Sequence, residues 1–270
     1  MSRAEKWQIR LEWLTRKWWF YFLFVLLQFV VPPYASKGYK FPEELSDVIF
    51  NALGNAVIYQ HYQFFPVFKV IPVILLIGIF VFRNKLTRLF NIYVSISYVL
   101  FAIGQNVAVT EKYGVAVCTT NVVMFLVVAV FWAWEAAVLR NDFTLIKQSV
   151  WRYWIVPLAL LAFWYPLKRQ TLMPDFNPIY VFTNVAGVTF CMMTPVYVGL
   201  LTLCWPKVNM GVLRVTSLVG LVIALYNLLV NFVINPGRYW WNGVLHIPLL
   251  VISIYALVLS LKKVKSNVVV

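Results

Sequence analysis

Acidic residues and histidines are scarce in this chain of 270 residues. It has 9 Asp and Glu and 2 His against 23 Lys and Arg, and only 12% of its residues are charged. Soluble domains carry about a quarter charged residues, so the composition argues against a soluble fold. With 62% hydrophobic residues, 18% aromatic residues and a mean hydropathy of +0.79, the chain has the composition of a membrane protein.

The motifs of several enzyme classes are also absent. The sequence has no GxxxxGK[ST] phosphate loop, no GxSxG elbow, no HExxH pair and no DDxxD pair. These absences argue against ATP hydrolysis, serine hydrolysis and ordinary zinc chemistry. The three cysteines, Cys118, Cys191 and Cys204, lie in apolar runs without CxxC spacing, which is typical of packing residues.

Long apolar runs are what the chain has in abundance. A helix that crosses a bilayer needs about 20 largely apolar residues, and eight runs approach or exceed this length. They lie at 17–34, 63–82, 89–109, 115–138, 152–168, 181–205, 211–234 and 242–261. We therefore predict an all-α, polytopic membrane bundle of about eight transmembrane helices, forming the single domain 1–270.

The basic residues indicate how the bundle is oriented. Most of the 23 Lys and Arg residues fall in alternate connections, at 3–17, 83–88, 140–152, 207–214 and 262–265. Basic loops stay in the cytoplasm, so both termini are predicted to be cytoplasmic. The location predicted is the cell membrane, with a bacterial or archaeal plasma membrane favoured. The net charge of +14 lies in short loops and not on a soluble basic face, so no nucleic-acid partner is expected.

Two segments outside the spans have helical character. Segment 1–16 is amphipathic, with Trp7, Leu11 and Leu14 at helical spacing, and is predicted to lie on the inner membrane interface. Segment 35–62 is too polar to span and is predicted to be an outer loop with an interfacial or re-entrant helix.

The two halves of the chain follow a similar order. Units 17–138 and 152–261 each have an aromatic, basic start, a proline-bearing outer loop, a proline-containing second span and a short basic turn. This order suggests a parallel 4+4 repeat.

Small and polar residues form stripes on the third, sixth, seventh and eighth spans, and the amides crowd the predicted outer third. The candidate ligand-binding residues are Gln105, Asn106, Asn121, Asn184, Asn227, Asn231, Asn242 and His246. Helix packing alone accounts for such stripes in a membrane. Their concentration at one depth favours an outward-facing polar pocket, and both interpretations remain open from the sequence.

Two charged residues lie within predicted spans. Lys69 is near an outer end, so its ammonium is expected to reach the headgroups, with a functional role as the alternative. Glu135 lies near an inner end, where an ion pair with Arg140 or a neighbouring loop cation and a proton or cation site are both open.

The two histidines allow three interpretations. Each of His61 and His246 is typical of a hydrogen-bonded structural residue. As a less favoured option, the pair ligates a haem with Arg238 on a propionate. In a lipid-acting enzyme, either would be a general base beside Asp47, Glu43 or Asp175.

Three functional hypotheses follow, and the sequence does not choose between them. The first is transport or binding of a small polar solute or ion in the outer pocket. The second is a non-catalytic subunit or sensor that meets a membrane-protein partner. The third is the lipid-acting enzyme. The lipid bilayer is the partner common to all three.

Overall fold

Residues 1–144 and 150–262 are described in the computed structural model of the protein. The fold is 74% helical, and a helix overlaps each of the eight apolar runs, which confirms the all-α prediction. The helices are α1 Arg3–Leu14, α2 Trp18–Val30, α3 Leu45–Gly54, α4 Phe65–Phe82, α5 Thr87–Gly104, α6 Thr119–Val138, α7 Ile155–Trp164, α8 Tyr180–Thr183, α9 Phe190–Leu203, α10 Met210–Leu228 and α11 Pro236–Leu261. Residues 145–149 and 263–270, which include parts of two predicted cytoplasmic basic segments, lie outside the described residues.

Several helical segments are long and apolar enough to cross a membrane. In the described part of the chain there are four, Val57–Gly104, Thr119–Val138, Met210–Ile234 and Pro236–Leu261, and a fifth if a bent pair counts as one span. The first of these segments contains both α4 and α5. Arg83 lies between them with φ 52° and interrupts the helix. Length and composition therefore establish four or five candidate spans.

Helices α7 and α9 are shorter than the runs that contain them. α7 has 10 residues, about 15 Å at the usual rise per residue, where the sequence predicted a helix over 152–168. The run 181–205 is divided into α8, the 3-10 helix Val185–Val188 and α9. The chain bends by 96° between this 3-10 helix and α9. Asn184 and Thr189, which flank the 3-10 helix, are extended and end the helical hydrogen bonding there.

A small sheet covers one end of the bundle, where the sequence predicted only loops and span ends. Strands β1 Tyr34–Ala35, β2 Val107–Thr110 and β3 Gly114–Val117 pair antiparallel in the order β1-β3-β2. The predicted spans 89–109 and 115–138 are therefore shorter at this end. Segment 35–62 is folded over the sheet, with Val48 and Ala52 of α3 packed on it. We call this end, with the hairpin β4 Leu167–Lys168 and β5 Met173–Pro174, the cavity end.

The opposite, basic end is where α1 docks. Ser2 begins α1 with a capping box to Glu5. The side of α1 that faces the bundle carries polar Gln8 and Thr15, both buried, whereas Trp7 and Trp13 are exposed. Gln8 Nε2 donates to Asn209 Oδ1 at 2.9 Å. The aromatic face of α1 is thus left open, and the polar face is held by the protein.

Two antiparallel helix pairs form most of the core, α5 with α6 and α10 with α11. Polar groups join helices within it: Ser95 donates to Ala129 O at 2.9 Å, and Trp132 Nε1 donates to Thr216 Oγ1 at 3.1 Å. Hydrogen bonds of this kind commonly contribute to the association of helices in lipid. Part of the small and polar stripes is therefore explained by packing.

Candidate functional site

A cavity of about 790 Å³ opens at the cavity end. Its wall is built from the ends of α5, α7 and α10 and from the beginnings of α4, α6, α9 and α11. All the candidate residues named from the sequence line it: Gln105, Asn106, Asn121, Asn184, Asn227, Asn231, Asn242 and His246. The volume is within the range of small-molecule sites. The structure therefore brings the predicted polar residues of α6, α10, the following π-helix, α11, the segment after α5 and the turn before α9 to a single cavity.

The cavity wall includes the free end of α7. The last carbonyls of a helix have no partner within it, and a bilayer supplies no water to bind them. Three side chains donate hydrogen bonds to these carbonyls in place of water. Asn184 Nδ2 donates to the carbonyls of Trp164 and Tyr165 at 2.6 and 2.9 Å, Trp241 Nε1 donates to that of Pro166 at 2.7 Å, and Lys69 Nζ donates to that of Phe163. Helix α7 can therefore end inside the bundle.

Lys69 does not reach the headgroups, contrary to our prediction. Its side chain is 0% exposed, and its ammonium lies 4.0 Å from the centre of the Phe163 ring. No carboxylate lies within ion-pair distance of it among the described residues. The ammonium instead faces the carbonyl end of α7, where the helix dipole is negative.

The beginning of α9 also faces the cavity. Phe190 N donates to Gln105 Oε1 at 2.9 Å, and Ala186 N donates to Asn184 Oδ1 at 3.1 Å. Gly187 lies against the backbone of α4 so closely that a Cβ there would be 2.7 Å from Phe68 O. Asn184 thus forms hydrogen bonds both to the end of α7 and to the turn before α9.

The amides of α10 and α11 bind one another as well as line the cavity. Tyr165 Oη donates to Asn242 Oδ1 at 2.8 Å, and Asn242 Nδ2 donates to Asn231 Oδ1 at 3.0 Å. Asn231 Nδ2 in turn donates to Asn227 O at 2.7 Å. Here the α-helical hydrogen bonding of α10 gives way to the π-helix Leu229–Ile234. Such a distortion is common at functional sites.

Several polar atoms of the wall are not used in this network. Among the described residues, Gln105 Nε2, Asn121 Oδ1 and Asn227 Oδ1 have no hydrogen-bond partner. His246 is 5% exposed, and its Nδ1 lies 2.7 Å from Asn242 O. A carbonyl only accepts, so Nδ1 carries the proton and Nε2 is left for a ligand. These four atoms are available to a ligand.

The two histidines are not brought to the same site. His246 lines the cavity, whereas His61 is exposed in the 3-10 helix Val57–Phe64 and is not part of the lining. The arrangement does not fit the suggested ligation of a haem between them. No group of three His, Cys, Asp or Glu side chains able to hold a metal ion is found in the described ranges.

The acids suggested as partners of a general base lie elsewhere. Asp47 forms an ion pair with Lys112 at 3.3 Å, and Asp175 accepts a hydrogen bond from Tyr180 Oη at 2.6 Å. Within the described part of the chain, no Asp or Glu belongs to the cavity lining. The geometry therefore does not assemble the histidine and carboxylate pair of the enzyme hypothesis.

Two arginines complete the mouth of the cavity. Arg169 and Arg238 both line it and are exposed. The Arg169 guanidinium lies 4.3 Å from the centre of the Tyr59 ring, and that of Arg238 lies 5.5 Å from the centre of the Tyr239 ring. Arg238 was noted in the sequence analysis for another role, and Arg169 was missed because nothing local places a β-hairpin residue at the site.

An aromatic cluster forms the floor. Phe125 and Phe190 stack with centroids 4.0 Å apart and planes 1° apart. Below them, Tyr98 Oη and Thr194 Oγ1 lie 3.1 Å apart, and Tyr197 Oη donates to Ser97 Oγ at 3.3 Å. The cavity is therefore closed toward the basic end.

Glu135 belongs to a separate, buried network at the basic end. It is 0% exposed, and it accepts hydrogen bonds from Asn141 N and Asn209 Nδ2, each at 2.6 Å. Among the described residues, no cation lies within ion-pair distance, so the pair with Arg140 is not formed. The carboxylate is solvated by amides and connected through Asn209 to Gln8 of α1.

No family model matches the chain, and neither the curated proteins nor the solved structures include one that matches it. The function therefore has to be argued from the geometry of the cavity.

Proposed function

We propose that this protein crosses the membrane with eight helices, both termini in the cytoplasm, and binds a small polar solute or ion in the cavity in order to move it across. The observation that carries the proposal is the meeting of the short helix α7 and the bent pair of α8 and α9 at a cavity lined by amides. Transporters build midplane sites from such broken helices. A packing interface alone would not need a cavity of about 790 Å³.

The alternation of helix ends supports eight spans. Along the chain, the cavity is lined in turn by Phe65 at the start of α4, Gln105 after α5, Asn121 in the first turn of α6, Tyr165 after α7, Cys191 at the start of α9, Asn231 after α10 and Asn242 in the early turns of α11. Helix α2 fits the same order. Thr120 binds its end at Val31 O, and Arg214 at the basic end binds Thr15 before its start.

Similar pairing in the two halves supports the 4+4 repeat. The third and fourth helices of each predicted unit, α5 with α6 and α10 with α11, form the two most extensive helix contacts. The first helix is short in both units, with 13 residues in α2 and 10 in α7.

Filling the cavity tests the proposal. Val230 lines the cavity, and Val233 of the same π-helix is 68% exposed outside it. Val230→Trp should occupy the site, while Val233→Trp adds the same side chain to the surface. Both are reconstituted in proteoliposomes with a mixture of sugars, amino acids, organic acids and salts, and uptake is measured by mass spectrometry.

We expect at least one compound to accumulate with the wild type and with Val233→Trp but not with Val230→Trp. Equal uptake by Val230→Trp would separate the cavity from transport. No accumulation of any compound by the wild type would refute transport itself. Thermal unfolding of both variants in detergent checks that the loss of uptake is not a loss of fold.

A further inference from the structure

The fixed charge of the cavity has one sign. Within the described ranges, the lining includes Arg169 and Arg238 but no Asp, Glu or Lys. Three acids at this end have partners: Asp47 and Glu44 pair with Lys112 at 3.3 and 3.1 Å, and Asp175 accepts a hydrogen bond from the hydroxyl of Tyr180, a lining residue. The cavity is therefore electropositive at its mouth.

Both guanidinium groups are available to a ligand. Neither has an ion pair or a hydrogen bond to any described residue. Each rests instead on a tyrosine ring, Arg169 on Tyr59 and Arg238 on Tyr239. Stacking orients the planar fork and leaves its N–H donors free, which is the form that matches a carboxylate or phosphate.

The floor adds positive partial charge. Among the first N–H groups of α9, Phe190 N is taken by Gln105 and Met193 N by Thr189 O at 3.1 Å. The N–H group of Met192, a residue that lines the cavity, has no partner in the described part of the chain. Helix N-termini of this kind favour anions. An independent observation points to a ligand here: the nearly buried His246 keeps Nε2 unpartnered.

The size of the cavity decides between a bare ion and an organic one. A volume of about 790 Å³ is that of a site for an organic ligand. Apolar Phe125, Met192 and Ile223 belong to the same lining and suit the body of such a molecule. An inorganic anion would leave most of this surface without a partner.

We propose that the occupant of the cavity is an organic anion, whose carboxylate or phosphate binds Arg169 and Arg238 at the mouth and whose uncharged part meets Gln105 and His246. The inference rests on the proposed function and narrows its solute to one chemical class. Soluble metabolites and anionic lipid headgroups both carry this chemistry.

Charged thiol reagents test the sign of the cavity without a known ligand. Asn235 lines the cavity at an exposed turn, and its side chain has no hydrogen bond among the described residues. Val109 is 65% exposed at the same end and lies outside the lining. Asn235→Cys and Val109→Cys are each labelled with an anionic and a cationic methanethiosulfonate reagent. The ratio of the two rates at Val109→Cys corrects for intrinsic reactivity.

We expect the anionic reagent to be favoured at Asn235→Cys by about tenfold or more relative to Val109→Cys, because a cleft of one charge sign concentrates the opposite sign. Adding Arg169→Gln and Arg238→Gln to Asn235→Cys should remove this preference. An equal ratio at the two positions, or a preference for the cationic reagent, would overturn the inference. Uptake in proteoliposomes does not enter this measurement, so failure of the proposed function and failure of the charge preference are seen separately.

Protection from labelling distinguishes the sources of the anion. The anionic labelling of Asn235→Cys is repeated with succinate or glucose 6-phosphate, with the neutral partners succinamide or glucose, and in bilayers with or without phosphatidylglycerol. Slower labelling with the soluble anions alone assigns a metabolite, and slower labelling with phosphatidylglycerol alone assigns a lipid headgroup. Protection by the neutral partners that equals protection by the anions would count against an anion site.

Discussion

Asn184 donates its Nδ2 to the carbonyl of Tyr165 at 2.9 Å and so joins the turn before α9 to the end of α7. The same nitrogen also binds Trp164 O at 2.6 Å, and the amide oxygen accepts from Ala186 N at 3.1 Å. One side chain therefore satisfies three backbone groups at two helix breaks. The shape of the cavity wall depends on it.

Replacing this side chain should weaken the whole bundle. Asn184→Ala leaves three partly buried backbone groups without partners, so we expect a loss of about 2 to 3 kcal/mol. Thermal unfolding in detergent measures it. Asn55→Ala is the control, because Asn55 is exposed and binds only Asn51 O. A loss no larger than that of Asn55→Ala would mean that other groups replace Asn184.

Gly187 should not tolerate a methyl group. A Cβ there would lie 2.7 Å from Phe68 O and 3.0 Å from Lys69 N, both backbone atoms of α4. Backbone cannot move aside as a flexible side chain does, so Gly187→Ala should cost about 2 kcal/mol and displace the turn before α9. At Gly54 a Cβ would meet nothing within 4 Å, and Gly54→Ala should leave the unfolding temperature nearly unchanged. Similar effects of the two substitutions would contradict the close approach.

Cysteine labelling across the membrane tests whether α7 is a full span. Val150 and Thr171 flank α7, while Lys85 and Val109 flank α5, and all four are exposed. In intact cells, a membrane-impermeant thiol reagent should label Val109→Cys and Thr171→Cys but reach Lys85→Cys and Val150→Cys only after permeabilisation. The three native cysteines are buried; because Cys191 lines the cavity, labelling of the wild type gives the background to subtract. Labelling of Val150→Cys and Thr171→Cys from the same side would rule out eight spans.

Acid should weaken the basic end through Asp142. Burial raises the pKa of this carboxyl, but hydrogen bonds from Asn84 and Thr144 and the charge of Lys207 outweigh it and lower the pKa to about 2. A group whose pKa is lower in the folded state stabilises the fold above its unfolded pKa, near 3.8, and loses this contribution as the pH falls toward 2. Because its side chain is 34% exposed, solvent reduces the contribution to about 1 kcal/mol.

The matched variant for this dependence is Asp142→Asn. The wild type should unfold at a higher temperature than Asp142→Asn at pH 6, and the two should converge as the pH falls from about 4 to about 2. A difference that stays constant over this range would mean that the carboxylate is not held by these partners. Lys85→Met, which changes an exposed charge at the same end, serves as the surface control.

Local patterns predicted the helices and the polar residues of the site, but not where the helices stop. The apolar runs located every helix of the bundle, and depth along those runs brought the amides Gln105 and Asn242 to one level. The end of α7 was not predicted, since it depends on Lys69 and Trp241, which come from distant parts of the chain. Asn184 followed by Gly187 is a local signal for a break, but the apolar run 181–205 predicts one continuous span with Asn184 among the polar residues of its outer third. The short strands Val107–Thr110 and Gly114–Val117 were hidden because their apolar residues extend the neighbouring runs.

The position of the stacked Phe125 and Phe190 rings bears on where the membrane voltage would act on an ion in the proposed bundle. In an eight-span bundle, water in the cavity carries the potential of the outer solution down to the floor, so the voltage falls mainly across the closed part between the rings and the basic end. A unit charge that crosses the whole drop exchanges about 2.3 kcal/mol per 100 mV. An anion moving inward past Phe125 and Phe190 would do so against a cytoplasm that is negative, and one moving outward would be driven by it. Voltage would then act on the anion mainly as it passes these two aromatic rings.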